Sequence, residues 1–184
     1  MELDLTYNHY ITDTKMLLCS LQNSAVLNIQ KRPRVTQRFG ENPAMYKKFG
    51  LAGHNGLDYG VPEGTAVFAP MDGIIRVTDS GENGYGLHIK LRNSSRASEA
   101  VLGHLSKVLV QDGQEVRMGD KIGLSGNTGY STAPHLHEGF RRLIPSSVSL
   151  WDWQVEDVNN GFSGYVDHAD YSICWKGTLF NNTL

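Results

Sequence analysis

The sequence predicts a mainly β fold. Three observations carry that expectation: twenty glycines and six prolines in 184 residues, apolar runs of only four to six residues, and turn dipeptides that punctuate those runs. Such a chain makes many tight turns between short strands. With 40% hydrophobic residues it can bury a core, and 184 residues suit one ordinary domain with modest extensions.

The elements follow in chain order. Within residues 1–30, "TDTKMLLCSLQNSAVLNIQ" reads equally as a short helix or a strand. "RPRVTQRFGENP" carries Pro33 near its start and closes on an Asn42-Pro43 turn. "YKKFGLAGHNGLDYG", residues 46–60, holds five glycines or asparagines and reads as loop and strand-end material. "GTAVFAPMDGIIRVTDSGENGYGLHIKLR" alternates apolar runs with Pro-Met-Asp-Gly and Glu-Asn-Gly, a pattern of short strands and tight turns. "EAVLGHLSKVLV" is a further strand leading into a loop, and "QDGQEVRMGDKIGLSGNTGYS" repeats turn, strand, turn, strand. "HLHEGFRR" alternates as a strand, which Gly139 weakens. After about residue 150 the chain is Asn-, Gly- and aromatic-rich and reads as an extension wrapping the domain. "VPEGTAVFAPMDGIIRV" and "VQDGQEVRMGDKIGLSG" echo one another, as paired hairpins of one barrel or sandwich would.

Bulk charge narrows the function classes. A net charge of −2 and a pI near 6.4 give no footprint for nucleic acid, and "KRPR" and "FRR" read as solvated turns. No apolar run approaches the roughly 20 residues of a membrane span. The acidic N-terminus lacks a basic n-region and does not read as a secretory signal. Cys19 and Cys174 form no CxxC and read as two unrelated thiols, a terminus-to-terminus disulfide being the alternative.

The polar residues able to build a site are His54, Asp58, His104, His135 and His137. His54 and Asp58 are four apart in "HNGLD", where Gly53 and Gly56 argue against a helix, so both project from an extended or looped segment. His135 and His137 lie on one face of a strand. Two imidazoles this close repel once protonated, so they belong either in water or on a metal, which takes neutral imidazole as a ligand. Hydrolytic zinc sites use three protein ligands and leave the fourth position to water, and further histidines are then free to move protons. Spacing alone does not say which of the five would bind metal.

The stretches "GHNGLDYGVPEGTAVFAPMDGII", "YGLHIKL", "GHLS" and "GQEVRMGDKIGLSGNTGYSTAPHLHEGF" resemble the M23 zinc endopeptidases of the lysostaphin and LytM type, which cut peptidoglycan peptides. The resemblance runs from about residue 36 to 140, in the family's order. It implies one Zn2+ per chain held by His54, Asp58 and His137, with His104 and His135 as a catalytic pair beside the metal-bound water. It also implies a small antiparallel β-sheet core of the LytM and barrel-sandwich-hybrid type, with a narrow groove. A tyrosine upstream of the first ligand often polarises the transition state in this family, and Tyr46 is the nearest candidate. The chain departs from the family in "HEGF", where Glu138 comes forward and a glycine is inserted.

The expected organisation is an N-terminal extension 1–32, a peptidase domain 33–148 and a C-terminal extension 149–184 packed on it. The expected partner is bacterial peptidoglycan, with stem-peptide crosslinks favoured over glycine bridges, and the chain is expected to act as a monomer. The flanks resemble phage-encoded relatives, so delivery with a virion or lysis system, or export by another route, is expected. Two other readings compete with this one. A catalytically silent M23-like binding or regulatory domain would lose ligands, and all five positions are intact here. A metal-free phosphocarrier or a biotinyl/lipoyl domain shares the "GxxVxAPxDG" step, but Lys121 lacks an attachment context. Trp151 and Trp153 read as packing residues of the extension, His88 as a core-strand residue, and His9 and His168 have no partner motif.

Overall fold

The structure, a computed structural model, describes residues 33–168. The undecided segment 1–30, His9, Cys19 and Cys174 lie outside the described residues.

The chain opens with β1 (Arg34–Gln37), a one-turn helix α1 (Pro43–Tyr46) and a 3-10 turn (Lys47–Phe49). The Asn-Pro pair therefore starts a helix and not only a turn. Asn42 is left-handed at φ 54° and Pro43 takes the first helical position, where its missing N–H costs nothing. The strands β2 (Leu57–Gly60), β3 (Ala66–Phe68), β4 (Gly73–Asp79), β5 (Leu87–Asn93), β6 (Ser98–Gly103) and β7 (Leu105–Val108) follow. Then come β8 (Glu115–Val116), β9 (Lys121–Ser125), β10 (Leu136–Ile144), a 3-10 turn (Leu150–Asp152) and β11 (Gln154–Val155). All pairings are antiparallel. The larger sheet runs β1-β2-β10-β6-β5-β4-β8, with β11 on β10, and the smaller runs β3-β9-β7. Among the described residues no helix is long and apolar enough to cross a membrane.

Alternation sets the two faces of the larger sheet. Leu57, Tyr59, Ile89, Leu91, Ala100, Leu102, Leu136 and Phe140 turn inward and meet Val67, Leu105 and Ile122 of the smaller sheet. The residues between them, Asp58, Lys90, Arg92, Glu99 and His137, turn to the opposite face. Gly139 does not end β10, which runs on to Ile144. The ring of Tyr165 lies on it, and a Cβ at Gly139 would stand 2.7 Å from Tyr165 Cε1. Absence of a side chain here makes room for an aromatic.

The two copies of the internal echo pair with each other. β3, from the first copy, pairs with β9 of the second, while β8 of the second pairs with β4 of the first. Each copy thus completes a sheet of the other. Within the described residues after 148, Trp151 lies under the Arg76 guanidinium at 4.2 Å, and Arg92 Nη1 donates to the Leu150 carbonyl at 2.7 Å.

Candidate metal centre

Asp58 and His137 stand directly opposite one another on β2 and β10, both on the outward face. His54 precedes β2 in a loop fixed by backbone bonds, with Gly40 N–H donating to its carbonyl at 2.8 Å and its own N–H donating to Glu41 at 2.9 Å. Gly56 lets this loop approach β10. A Cβ there would stand 2.4 Å from the Glu138 carbonyl oxygen and 2.6 Å from His137 Cε1. The result is a tight triangle: His54 Nε2 to Asp58 Oδ1 3.1 Å, His137 Nδ1 to Asp58 Oδ1 3.0 Å, and His54 Nε2 to His137 Nδ1 3.0 Å.

The donor set fits a metal ion. His54 Nδ1–H donates to the Arg38 carbonyl at 3.2 Å, which leaves Nε2 as a lone pair aimed into the triangle. Burial would push the Asp58 carboxyl up, but the adjoining imidazoles of His137 and His54 outweigh it and hold the group well below the usual carboxylate range. Burial brings His137 down to about 4 against the pull of Asp58. At neutral pH the three buried residues therefore present one carboxylate and uncharged imidazole at His137. Donor atoms on tetrahedral bonds of about 2.0–2.2 Å stand roughly 3.3 Å apart, close to the spacing seen. His54, Asp58 and His137 can together hold a metal ion.

Two more histidines stand beside the triangle. His104 follows β6, one residue after Gly103, which lies opposite His137. Its backbone is left-handed at φ 60°, an arrangement costing about 1–2 kcal/mol in a residue with a Cβ. Its N–H donates to the Tyr85 carbonyl at 2.8 Å and its Nδ1–H to the Thr128 carbonyl at 2.7 Å. Burial, with repulsion from His137 and His135, depresses His104 to about 3, although the Thr128 bond works the other way. His135 sits just before β10, bridged to Gly126. Its Nδ1–H donates to the Ala133 carbonyl at 2.8 Å, and Nε2 lies 3.5 Å from Asp58 Oδ2. The rings of His104 and His135 are 4.5 Å apart.

All five residues line one cavity of about 590 Å³, together with Tyr46. The Tyr46 hydroxyl donates to Gln37 Oε1 at 3.1 Å and its ring lies 5.3 Å from His54. Burial and the nearby Asp58 carboxylate push its phenol far above the usual value. Sequence reasoning missed Tyr85, which stacks on His137 at 4.8 Å and accepts a bond from Asn55 Nδ2 at 2.6 Å. It missed Tyr165 as well. Neither tyrosine sits at a spacing that would have marked it. His88 is a buried residue of β5 whose Nδ1–H donates to Gly86, and His168 is a buried ring whose Nδ1–H donates to the Val166 carbonyl at 3.3 Å.

Residues 52–148 match the model of peptidase family M23. A Haemophilus influenzae protein known as an uncharacterized metalloprotease is 40% identical over 126 residues, which is 66% of this chain and 26% of that protein. The peptidoglycan DD-endopeptidase ShyA of Vibrio cholerae is 42% identical over 87 residues, 47% of this chain and 20% of that protein. The catalytic domain of the antimicrobial peptidase lysostaphin from Staphylococcus simulans superposes with a TM-score of 0.53 at 33% identity, covering 67% of this chain and 88% of that one. The chain spans about a quarter of the length of these curated relatives, 26% and 20%.

Proposed function

Because the chain belongs to peptidase family M23, we propose that it is a zinc-dependent endopeptidase that hydrolyses peptide bonds in bacterial peptidoglycan, at stem-peptide crosslinks. The observation that carries this reading is the convergence of three metal donors and two further histidines in one cavity. The name of ShyA, at 42% identity, supports the choice of crosslink.

In this reading His54 Nε2, Asp58 Oδ1 and His137 Nδ1 hold the zinc. A zinc ion bound there supplies a water acidified toward neutrality and polarises a carbonyl. His104 and His135 move the protons. Each anchors Nδ1–H on a backbone carbonyl, Thr128 or Ala133, so each turns Nε2 into the cavity as a lone pair. Burial keeps His104 uncharged at neutral pH, with its Nε2 lone pair unprotonated. The same burial makes its protonated form eager to pass that proton to the leaving amine. Tyr46 keeps its phenol proton and offers a hydrogen bond to the oxyanion.

The proposed division of the chain is 1–32 as an N-terminal extension, 33–148 as the peptidase domain and 149–184 as a C-terminal extension packed on it. A single chain suffices for the reaction, since all five residues come from it. Delivery to the wall with a phage particle or lysis system is the proposed route, and a search for the protein in purified virions tests it. The reaction itself is tested by incubating the protein with peptidoglycan, with chelator, and with chelator followed by zinc. New amine ends that vanish with chelator and return with zinc are expected, and fragment masses name the bond. No release from several wall types by zinc-loaded protein overturns the reading.

A further inference from the structure

The face of the larger sheet that carries the metal donors also gathers cations. Arg141, Glu99 and Arg92 form one row across β10, β6 and β5. Both guanidinium groups bond the single carboxylate, Arg92 Nε to Glu99 Oε2 at 2.6 Å and Arg141 Nε to Glu99 Oε1 at 2.7 Å. In the neighbouring row Lys90 of β5 stands directly opposite Arg76 of β4. Among the described residues Lys90 has no ion-pair partner within 4.0 Å. Four cations thus lie in these two rows with one carboxylate, Glu99, which bonds two of them. Like charges opposite one another on adjacent strands are destabilising, so this arrangement lowers stability unless an anion joins it. Arg76 turns its charge onto Trp151, while Lys90 and Arg141 line the same cavity as His54, Asp58 and His137. From His137 to Arg141 is four steps of β10, roughly 13 Å at about 3.3 Å per residue.

We infer that Lys90 and Arg141 form a subsite for a carboxylate of the substrate peptide, carried three to four residues from the bond that is cleaved. The inference rests on the proposed peptide hydrolysis and adds to it a substrate feature: an acidic side chain or a free α-carboxyl at that distance. An extended peptide covers about 3.3–3.6 Å per residue, so a chain with its scissile bond at the triangle brings such a group to the cationic end. Arg141 spends Nε and Nη2 on Glu99, donates Nη1 to the Ser163 carbonyl and lies on the Tyr165 ring at 4.9 Å, so it adds its positive charge while the ammonium of Lys90 is the principal donor.

The test uses the full chain, zinc-loaded, with the His104→Ala substitution to suppress turnover. Two synthetic stem peptides differ only in that one carboxyl, free in one and a carboxamide in the other, and calorimetry measures both affinities. The acid is expected to bind about tenfold more tightly than the amide, as a charge-assisted bond replaces a neutral one. Adding Lys90→Gln should collapse that ratio toward one, while adding Lys90→Arg should keep it, with thermal melts confirming that both variants are folded. Equal binding of the two peptides overturns the subsite. Inorganic phosphate binding as tightly as the acid peptide overturns the assignment to a peptide carboxylate. The wall-digestion experiment reads the hydrolysis separately, so the two can fail independently.

Discussion

Lowering the pH should unfold the metal-free protein through three buried histidines. His104 is depressed to about 3, His137 to about 4 and His168 to about 4, in each case chiefly by burial. Their relative exposures are 5%, 2% and 1%, so solvent screening discounts little. In the unfolded chain each returns to about 6.5. The folded values lie below the unfolded ones, so the unfolded state binds more protons throughout the window from about 6.5 downward. Stability is therefore full above pH 6.5 and falls as the pH drops, until the folded values near 4 and 3 are reached. Each histidine contributes up to about 1.4 kcal/mol per pH unit, so three, half protonated in the unfolded chain at pH 6.5, remove about 5 kcal/mol between pH 6.5 and 5. That is comparable to the whole stability of an ordinary domain, about 5–15 kcal/mol. Asp58 acts only below the unfolded carboxylate range, so it does not contribute in this window. The assay is chemical denaturation of chelated protein at pH 7.5, 6.5, 5.8 and 5. His168→Leu, which removes none of the metal donors, should reduce the slope by about one proton. A free energy of unfolding that is flat from pH 7 to 5 would refute the buried neutral state of these rings.

Other expectations address the site directly. His137→Ala should lose bound zinc, while His104→Ala should keep one equivalent and lose about 10²- to 10⁴-fold in rate; metal analysis that finds full zinc in both variants overturns the ligand assignment. Gly56→Ala should cost about 1–3 kcal/mol by overpacking against the Glu138 carbonyl and the His137 ring and weaken zinc as well, and a variant with wild-type melting and affinity contradicts the close approach. Tyr46→Phe should retain zinc and lose about 10²- to 10³-fold in kcat if its hydroxyl meets the oxyanion; a kcat within twofold of wild type removes Tyr46 from the reaction.

Much of the site was legible because its side chains carry their own chemistry at short spacings. His54 with Asp58, and His135 with His137, needed only the alternation of a strand and the glycines beside them to be placed on one side. The partners that make those residues useful were not legible. Arg38, Thr128 and Ala133 orient imidazoles through backbone carbonyls, and every residue has one, so no residue type marks the position. Tyr85 and Tyr165 reach the site from loops distant in sequence. Gly139 read as a weakness of β10 because its local cost is visible and the ring that covers it is not. The short helix at Pro43 was hidden for a related reason: an Asn-Pro pair suits a turn and a helix start alike.

The metal centre and the fold depend on the same strand register. Asp58 lies opposite His137, and His137 lies opposite Gly103, the residue before His104, so three strands bring their functional groups to one level of the sheet. A slip of β2 by one residue would turn Asp58 into the core and put Leu57 or Tyr59 in its place. The core opposes that slip, because Leu57 and Tyr59 are both buried at the interface of the two sheets. Gly56 opposes it again, since only a residue without a side chain fits against Glu138 and His137 at that position. The hydrophobic pattern therefore selects the register, and the register forces a carboxylate and an imidazole to within 3.0 Å of each other. A metal bound there would add its ligand bonds to the register the core already selects, so its binding should stabilise the fold, and a chelator should lower the melting temperature of the wild type but not of Asp58→Ala.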